Sequence, residues 1–119
     1  MANPNIVNVS RILANTVTGA AISSNTVWHI NPASSGSVHK INTVNISNIS
    51  ATANADFDLI ITNAGSNTML MKTIAIPSSA TIVAVDKSSS FYLLENSKIG
   101  GKANSNSLIQ FMISLEQIY

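Results

Sequence analysis

Apolar and polar positions alternate with a period of two along much of this chain. Thr26, Trp28 and Ile30 alternate with Val27, His29 and Asn31. Phe57, Leu59 and Ile61 alternate with Asp56, Asp58 and Thr62, and only Ile60 breaks the pattern. Ile109, Phe111, Ile113 and Leu115 alternate with Gln110, Met112, Ser114 and Glu116. Successive side chains of a strand point to opposite faces, so such runs are half-buried strands. Turn signals separate them at short intervals: Asn31-Pro32-Ala33-Ser34-Ser35-Gly36, the polar stretch 50–54, Asn63-Ala64-Gly65-Ser66-Asn67, Pro77-Ser78-Ser79, Lys87-Ser88-Ser89-Ser90 and the stretch from Gly100-Gly101 to Asn106. The 63–67 segment reads as a hairpin loop of three to five residues. The pattern predicts strands near 25–31, 38–48, 56–62, 68–76, 80–86, 91–94, 97–102 and 107–117. About eight short strands with this spacing predict an all-β fold, a single sandwich of jelly-roll or immunoglobulin-like type. Its inward face is expected to carry Trp28, Phe57, Leu59, Ile61, Val83, Val85, Ile109, Phe111, Ile113 and Leu115.

Two segments do not fit a simple alternation. In 38–49, Val44 and Ile46 share one face while Ile41 and Ile49 fall on the other. A bulge near Asn42 and Thr43 restores the phase; a strand buried on both faces is the alternative. In residues 1–24 the apolar positions Ile6, Val7, Val9, Ile12, Leu13 and Val17 follow neither the strand nor the helix period. We read this stretch as an extended arm, with the sandwich proper spanning 25–119. The arm is too apolar to be left in water. It is either an edge strand of its own domain or a segment lying on a neighbouring subunit. In the second case those six residues are the candidate partner-binding set.

Composition sharpens the class. The chain has 119 residues and is 45% hydrophobic, but only 9% charged, with a net charge of +1. Globular proteins average about 25% charged residues. Ile (16) and Val (8) outnumber Leu (7), a bias towards strands. The polar half is mostly Ser (18), Asn (15) and Thr (9), so the solvated surface is neutral amide and hydroxyl. Six Lys plus Arg against five Asp plus Glu leave no basic face for nucleic acid. The first ten residues show no signal-peptide pattern, and nothing approaches the roughly 18 apolar residues of a membrane helix. A surface so poor in charge does little to keep molecules apart, which points to life in an assembly.

Candidate chemistry is sparse. The absence of cysteine excludes thiolate sites and thiol catalysis. His29 and His39 are the only histidines, and His29 is expected to face away from Trp28. A metal site would need a third ligand, and the candidates are Asp56 and Asp58, whose Asp-x-Asp spacing places both carboxylates on one strand face. Solvation of that face is the simpler reading, so neither metal nor cofactor is expected. No Gly-x-Ser-x-Gly elbow occurs. Ile99-Gly100-Gly101-Lys102 lacks the spacing of a phosphate loop and reads as a turn. Tyr92 and Tyr119 are too few exposed aromatics for a sugar-stacking platform. No catalytic residues are expected.

The order of motifs over residues 27–119 resembles small β-sandwich virion structural proteins of tailed phages of marine bacteria and cyanobacteria. The resemblance is carried by Asn31-Pro32-Ala33-Ser34-Ser35-Gly36, by Lys40-Ile41-Asn42-Thr43-Val44-Asn45-Ile46-Ser47-Asn48, and by Asp56-Phe57-Asp58-Leu59. It continues through Ile76-Pro77-Ser78-Ser79-Ala80-Thr81 and Asp86-Lys87-Ser88-Ser89-Ser90-Phe91-Tyr92-Leu93-Leu94-Glu95-Asn96. It closes on Ala103-Asn104-Ser105-Asn106-Ser107 and Ser114-Leu115-Glu116-Gln117-Ile118. Such relatives carry an acidic, Gly-Asp-like turn after the Leu-Glu step, where this chain has Asn96-Ser97. The resemblance implies a non-enzymatic capsid decoration or cement protein on the virion surface. Its partners would be the major capsid protein or other virion proteins, with self-association, for example as a trimer. A neck, tail or fibre component is the nearest alternative, and a carbohydrate-binding sandwich a more distant one.

Overall fold

The computed structural model describes residues 11–106 and 108–119. Nine strands form two packed antiparallel sheets: β1 (Ile12–Ala21), β2 (Thr26–Asn31), β3 (Val38–Asn48), β4 (Ala55–Asn63), β5 (Ser66–Ile76), β6 (Thr81–Val85), β7 (Phe91–Leu93), β8 (Ser97–Ala103) and β9 (Ile109–Ile118). One sheet, A, has the order β1-β9-β3-β6, with β7 continuing the edge beside β3. The other, B, has the order β2-β8-β4-β5. β6 and β7 are two halves of one edge, interrupted by a single 3₁₀ turn over Lys87–Ser89. Asp86 caps that turn through the Ser88 and Ser89 amides. Counted this way, eight strands pass between the sheets in the sequence A, B, A, B, B, A, B, A. That is the wrapping of a jelly roll, in which two Greek keys close one sandwich.

The predicted core is largely in place. Trp28, Phe57, Leu59, Val85, Ile109, Phe111, Ile113 and Leu115 are buried, and Ile61 is half-buried against them. Each such side chain contributes about 1.5–3 kcal/mol when fully withdrawn from water. Asn42 is the extra residue of a bulge, because Ile41 pairs with Leu115 while Thr43 pairs with Ser114. The bulge puts Ile41 on the same inward face as Val44 and Ile46, and all three are fully buried.

Three further bulges overturn local expectations. In β2, Val27 pairs with Gly100 and His29 with Ile99, so Trp28 is an inserted residue. The inversion that follows exposes Ile30 and buries Asn31, the reverse of a plain alternation. In β6, Val83 pairs with Asn45 and Val85 with Val44, leaving Ala84 as the extra residue. Val83 consequently points to solvent at 57% exposure instead of into the core. In β5, Lys72 and Thr73 together face Asp58, and Thr73 adopts a left-handed φ of 51°.

Two turn assignments also change. The β4–β5 loop is the two-residue pair Ala64-Gly65, closed by Asn63 opposite Ser66, with positive φ at both positions. That is the tight hairpin form whose twist matches its strands. Gly100 and Gly101 lie in the middle of β8 and make no turn. A Cβ on Gly100 would collide with the Thr26 carbonyl oxygen, and one on Gly101 with that of Asp58. The backbones of β2 and β4 crowd β8 from both sides, and only glycine fits.

Of the two readings of the arm over 1–24, the edge strand of its own domain holds for residues 12–21, so the sandwich begins before the expected boundary at 25. Residues 12–21 form β1, which pairs with β9 from Ile12 opposite Ile118 to Ala21 opposite Ile109 without a register shift. They are an edge strand of the sandwich.

Two substitutions test these placements by chemical denaturation. Phe111→Ala is expected to cost about 3–5 kcal/mol, the range for emptying a buried aromatic site. Val83→Ala is expected to change stability by less than about 0.5 kcal/mol, as at other exposed positions. A large loss at Val83 would mean that the β6 bulge is misplaced.

Candidate functional site

The inserted Trp28 has a direct chemical consequence. It lets two consecutive residues of β2 face the interior. Trp28 stacks on Phe111 of the opposite sheet with ring centroids 4.2 Å apart and planes 8° from parallel. His29 reaches across to His39 of β3, with Nε2 2.8 Å from Nδ1. The expectation that His29 faces away from Trp28 fails for this reason.

A hydrogen-bonded chain leads on from the histidine pair. His39 Nε2 lies 3.2 Å from Ser37 Oγ. Ser37 Oγ donates to Asn31 Oδ1 over 3.4 Å. The Asn31 amide donates to the carbonyls of Ser37 and Leu93, each at 2.9 Å. Asn31, Ser37 and His39 are all buried. At the other end of the sandwich Asn48 does the same work, donating to the carbonyls of Ala53 and Ile76 and accepting from the Ser50 amide. A buried carbonyl without a partner costs about 1–3 kcal/mol, so Asn31 removes two such costs and Asn48, at Ile76, one. These clusters hold loop ends in place, chiefly by side-chain bonds to backbone groups.

Burial pushes the pKa of both histidines down, that of His39 to about 4, where His29 adds charge repulsion. Both rings are therefore neutral near pH 7. One proton shared between Nε2 and Nδ1 makes the contact, whereas two charged rings would oppose each other.

The carboxylates of the Asp-x-Asp pair do not meet the histidines. Asp58 is buried, contrary to the expectation of a solvated face. Its Oδ1 accepts the Thr73 amide at 2.7 Å, and its Oδ2 lies 3.6 Å from Lys72 Nζ. Asp58 thus fastens the β5 bulge. Among the described residues no three His, Asp or Glu side chains come together as a metal site.

The candidate partner-binding residues divide. Ile6, Val7 and Val9 lie outside the described residues. Ile12 and Leu13 are exposed on β1, at 51% and 43%, while Val17 is half-buried against the core. β1 borders the outer face of sheet A, where cross-strand register builds neutral rows. Thr16, Ser114 and Thr43 form one, Thr18, Met112 and Asn45 a second, and Ala20, Gln110, Ser47 and Thr81 a third. A depression of about 550 Å³ in this face is lined by Thr18, Gly19, Ala20, Asn45, Ser47, Thr81, Gln110, Phe111 and Met112, with no ionisable side chain in its lining. Sequence reading missed both the histidine pair and this face. The first depends on a bulge, and the second on which strands are neighbours.

No family model matches the chain, and neither the curated proteins nor the solved structures contain a significant match.

The histidine pair predicts a pH dependence. An unfolded histidine titrates near 6.5, well above the folded value for His39. Between these values the unfolded chain binds more protons, so stability falls as pH drops from about 6.5 to about 4. Asp86, whose pKa is held below 3.8 by the Ser88 and Ser89 hydrogen bonds, acts only beneath that window. The melting temperature is expected to decline through the window in the native chain and less steeply in His39→Gln. Equal slopes in the two proteins would contradict the pairing.

Proposed function

We propose that this protein is a non-enzymatic structural component of a phage virion, acting as a decoration or cement protein on the capsid. The observation that carries the reading is the outer face of sheet A. Rows of uncharged side chains, mostly hydroxyl and amide with Met112 and Ala20 among them, span β1, β9 and β3, and the charged residues Lys40 and Glu116 face each other at one end. Such a face binds through many neutral hydrogen bonds and shape, and it responds little to salt or pH. The order of turn and strand motifs along 27–119 supports the same reading, as does the use of the buried polar groups to fix loops.

The mechanism is mechanical. Each copy lies across a junction between capsid subunits and contributes a modest interface. Repetition over a lattice turns weak contacts into resistance to internal pressure, because each bound site raises the effective concentration of the next.

Cryo-electron microscopy and copy-number measurement on the particle that carries the protein test this. Hundreds of copies on the shell surface are expected. A few dozen at a unique vertex would make it a neck or tail component, and absence from the particle would refute the reading. Asn45→Lys, placed in the middle of the neutral face, is expected to lower occupancy without unfolding the protein.

A further inference from the structure

The two sheets have four edges, and three of them are blunted. β2 is six residues long and interrupted by the Trp28 bulge. β5 has two register shifts, a left-handed Thr73 and Lys72. The β6 and β7 edge is short, bulged and broken by the 3₁₀ turn. Bulges, short length and charge are the devices by which proteins prevent edge-to-edge pairing. The fourth edge has none of them. β1 is ten residues of unbroken register, Ile-Leu-Ala-Asn-Thr-Val-Thr-Gly-Ala-Ala, without a charge or a proline. All of it is exposed except Val17 and Ala21.

We propose that β1 is a self-association edge, on which a second copy of this chain docks its own β1 antiparallel about a two-fold axis. The occupant is a second copy because an uncharged strand meets itself without like-charge repulsion, and because a two-fold axis satisfies both exposed backbones at once. Side chains keep their faces only if the axis passes through a residue rather than between two, since the period is two. With greatest overlap that residue is Thr16 or Val17. Thr16 of one copy then meets Thr16 or Thr18 of the other, and the inward face stays inward. Pairing would join two copies of sheet A into one continuous sheet and double the neutral face, so the inference deepens the assembly reading on which it rests.

The size of the contact sets its strength. A ten-residue strand is about 33 Å long, and one sheet thickness is about 10 Å. The strip buries a few hundred Å² per copy, below the roughly 800 Å² of a standard stable interface. The free protein should therefore be a weak dimer, with a dissociation constant on the order of 10 μM to 1 mM.

Sedimentation equilibrium of the isolated full chain tests this without any virion, so failure here leaves the virion reading to its own experiment. The native protein should show a monomer–dimer equilibrium in that range. Thr16→Lys combined with Thr18→Lys places like charges opposite each other in either register. It should weaken association about tenfold or more while leaving the melting temperature unchanged, because both positions are exposed. Mixing it with the Thr16→Glu, Thr18→Glu protein should restore dimers, now heterodimers. Thr81→Lys on the opposite edge should have no effect. A native protein that stays monomeric at about 1 mM, or charged variants that associate as the native chain does, would overturn the proposal. So would a failure of the mixture to form heterodimers.

Discussion

The fold depends on a crowding of backbones at the centre of sheet B. β8 carries Gly100 and Gly101 where the carbonyl oxygens of Thr26 on one side and Asp58 on the other leave no room for a Cβ. That clearance lets β2 bulge at Trp28, and Gly101 leaves space under the indole, since a Cβ there would lie 3.1 Å from Trp28 Cζ2. The indole then reaches Phe111 on the far sheet. Because the bulge shifts the phase of β2, His29 and Asn31 also turn inward, and the seam from His29 to Leu93 follows. One extra residue in one strand thus sets an aromatic contact and a polar chain between the layers.

Strand existence was legible in the sequence wherever alternation ran undisturbed. The stretch from Ile109 to Leu115 is the clearest case: its four apolar residues are buried, as the period-two pattern requires. The Asn42 bulge was half legible: the apolar Ile41, Val44 and Ile46 required either a bulge or a strand buried on both faces, and only the register decides for the bulge. The bulges at Trp28 and Ala84 left no such trace. Ile30 and Asn31 exchange faces, and so does Val83, yet each strand still reads as an acceptable alternation. Residues 12–21 left two readings open, an edge strand or an arm on a neighbour, because an edge strand with one half-buried valine and a terminal alanine against the core needs no apolar period. Its partner, β9, is distant in sequence, so the pairing that makes it a strand is a long-range fact.

The candidate site was less legible than the fold. His29 and His39 were visible as the only histidines, but nothing in their spacing of ten residues says that they face each other across two sheets. Asp58 was visible as a carboxylate, but its role depends on a bulge in β5 that brings the Thr73 amide to it. The abundance of asparagine finds a partial physical explanation in Asn31 and Asn48. Each reconciles a buried loop end with its carbonyls, work that a charged residue could do only at a large desolvation cost. A chain that solves its buried polar problems with neutral groups, and shows neutral groups outside, has an exterior suited to close packing with neighbours.

The double-mutant cycle between Trp28 and Phe111 probes the inserted residue most directly. Trp28→Leu, Phe111→Leu and the double variant are compared with the native chain by denaturant unfolding. Stacked rings that meet across the layers should make the loss in the double variant about 0.5–1.5 kcal/mol smaller than the sum of the two single losses, because each single variant already forfeits the contact. Losses that add within about 0.3 kcal/mol would mean that the two rings do not touch, and that β2 runs without the bulge on which the seam depends.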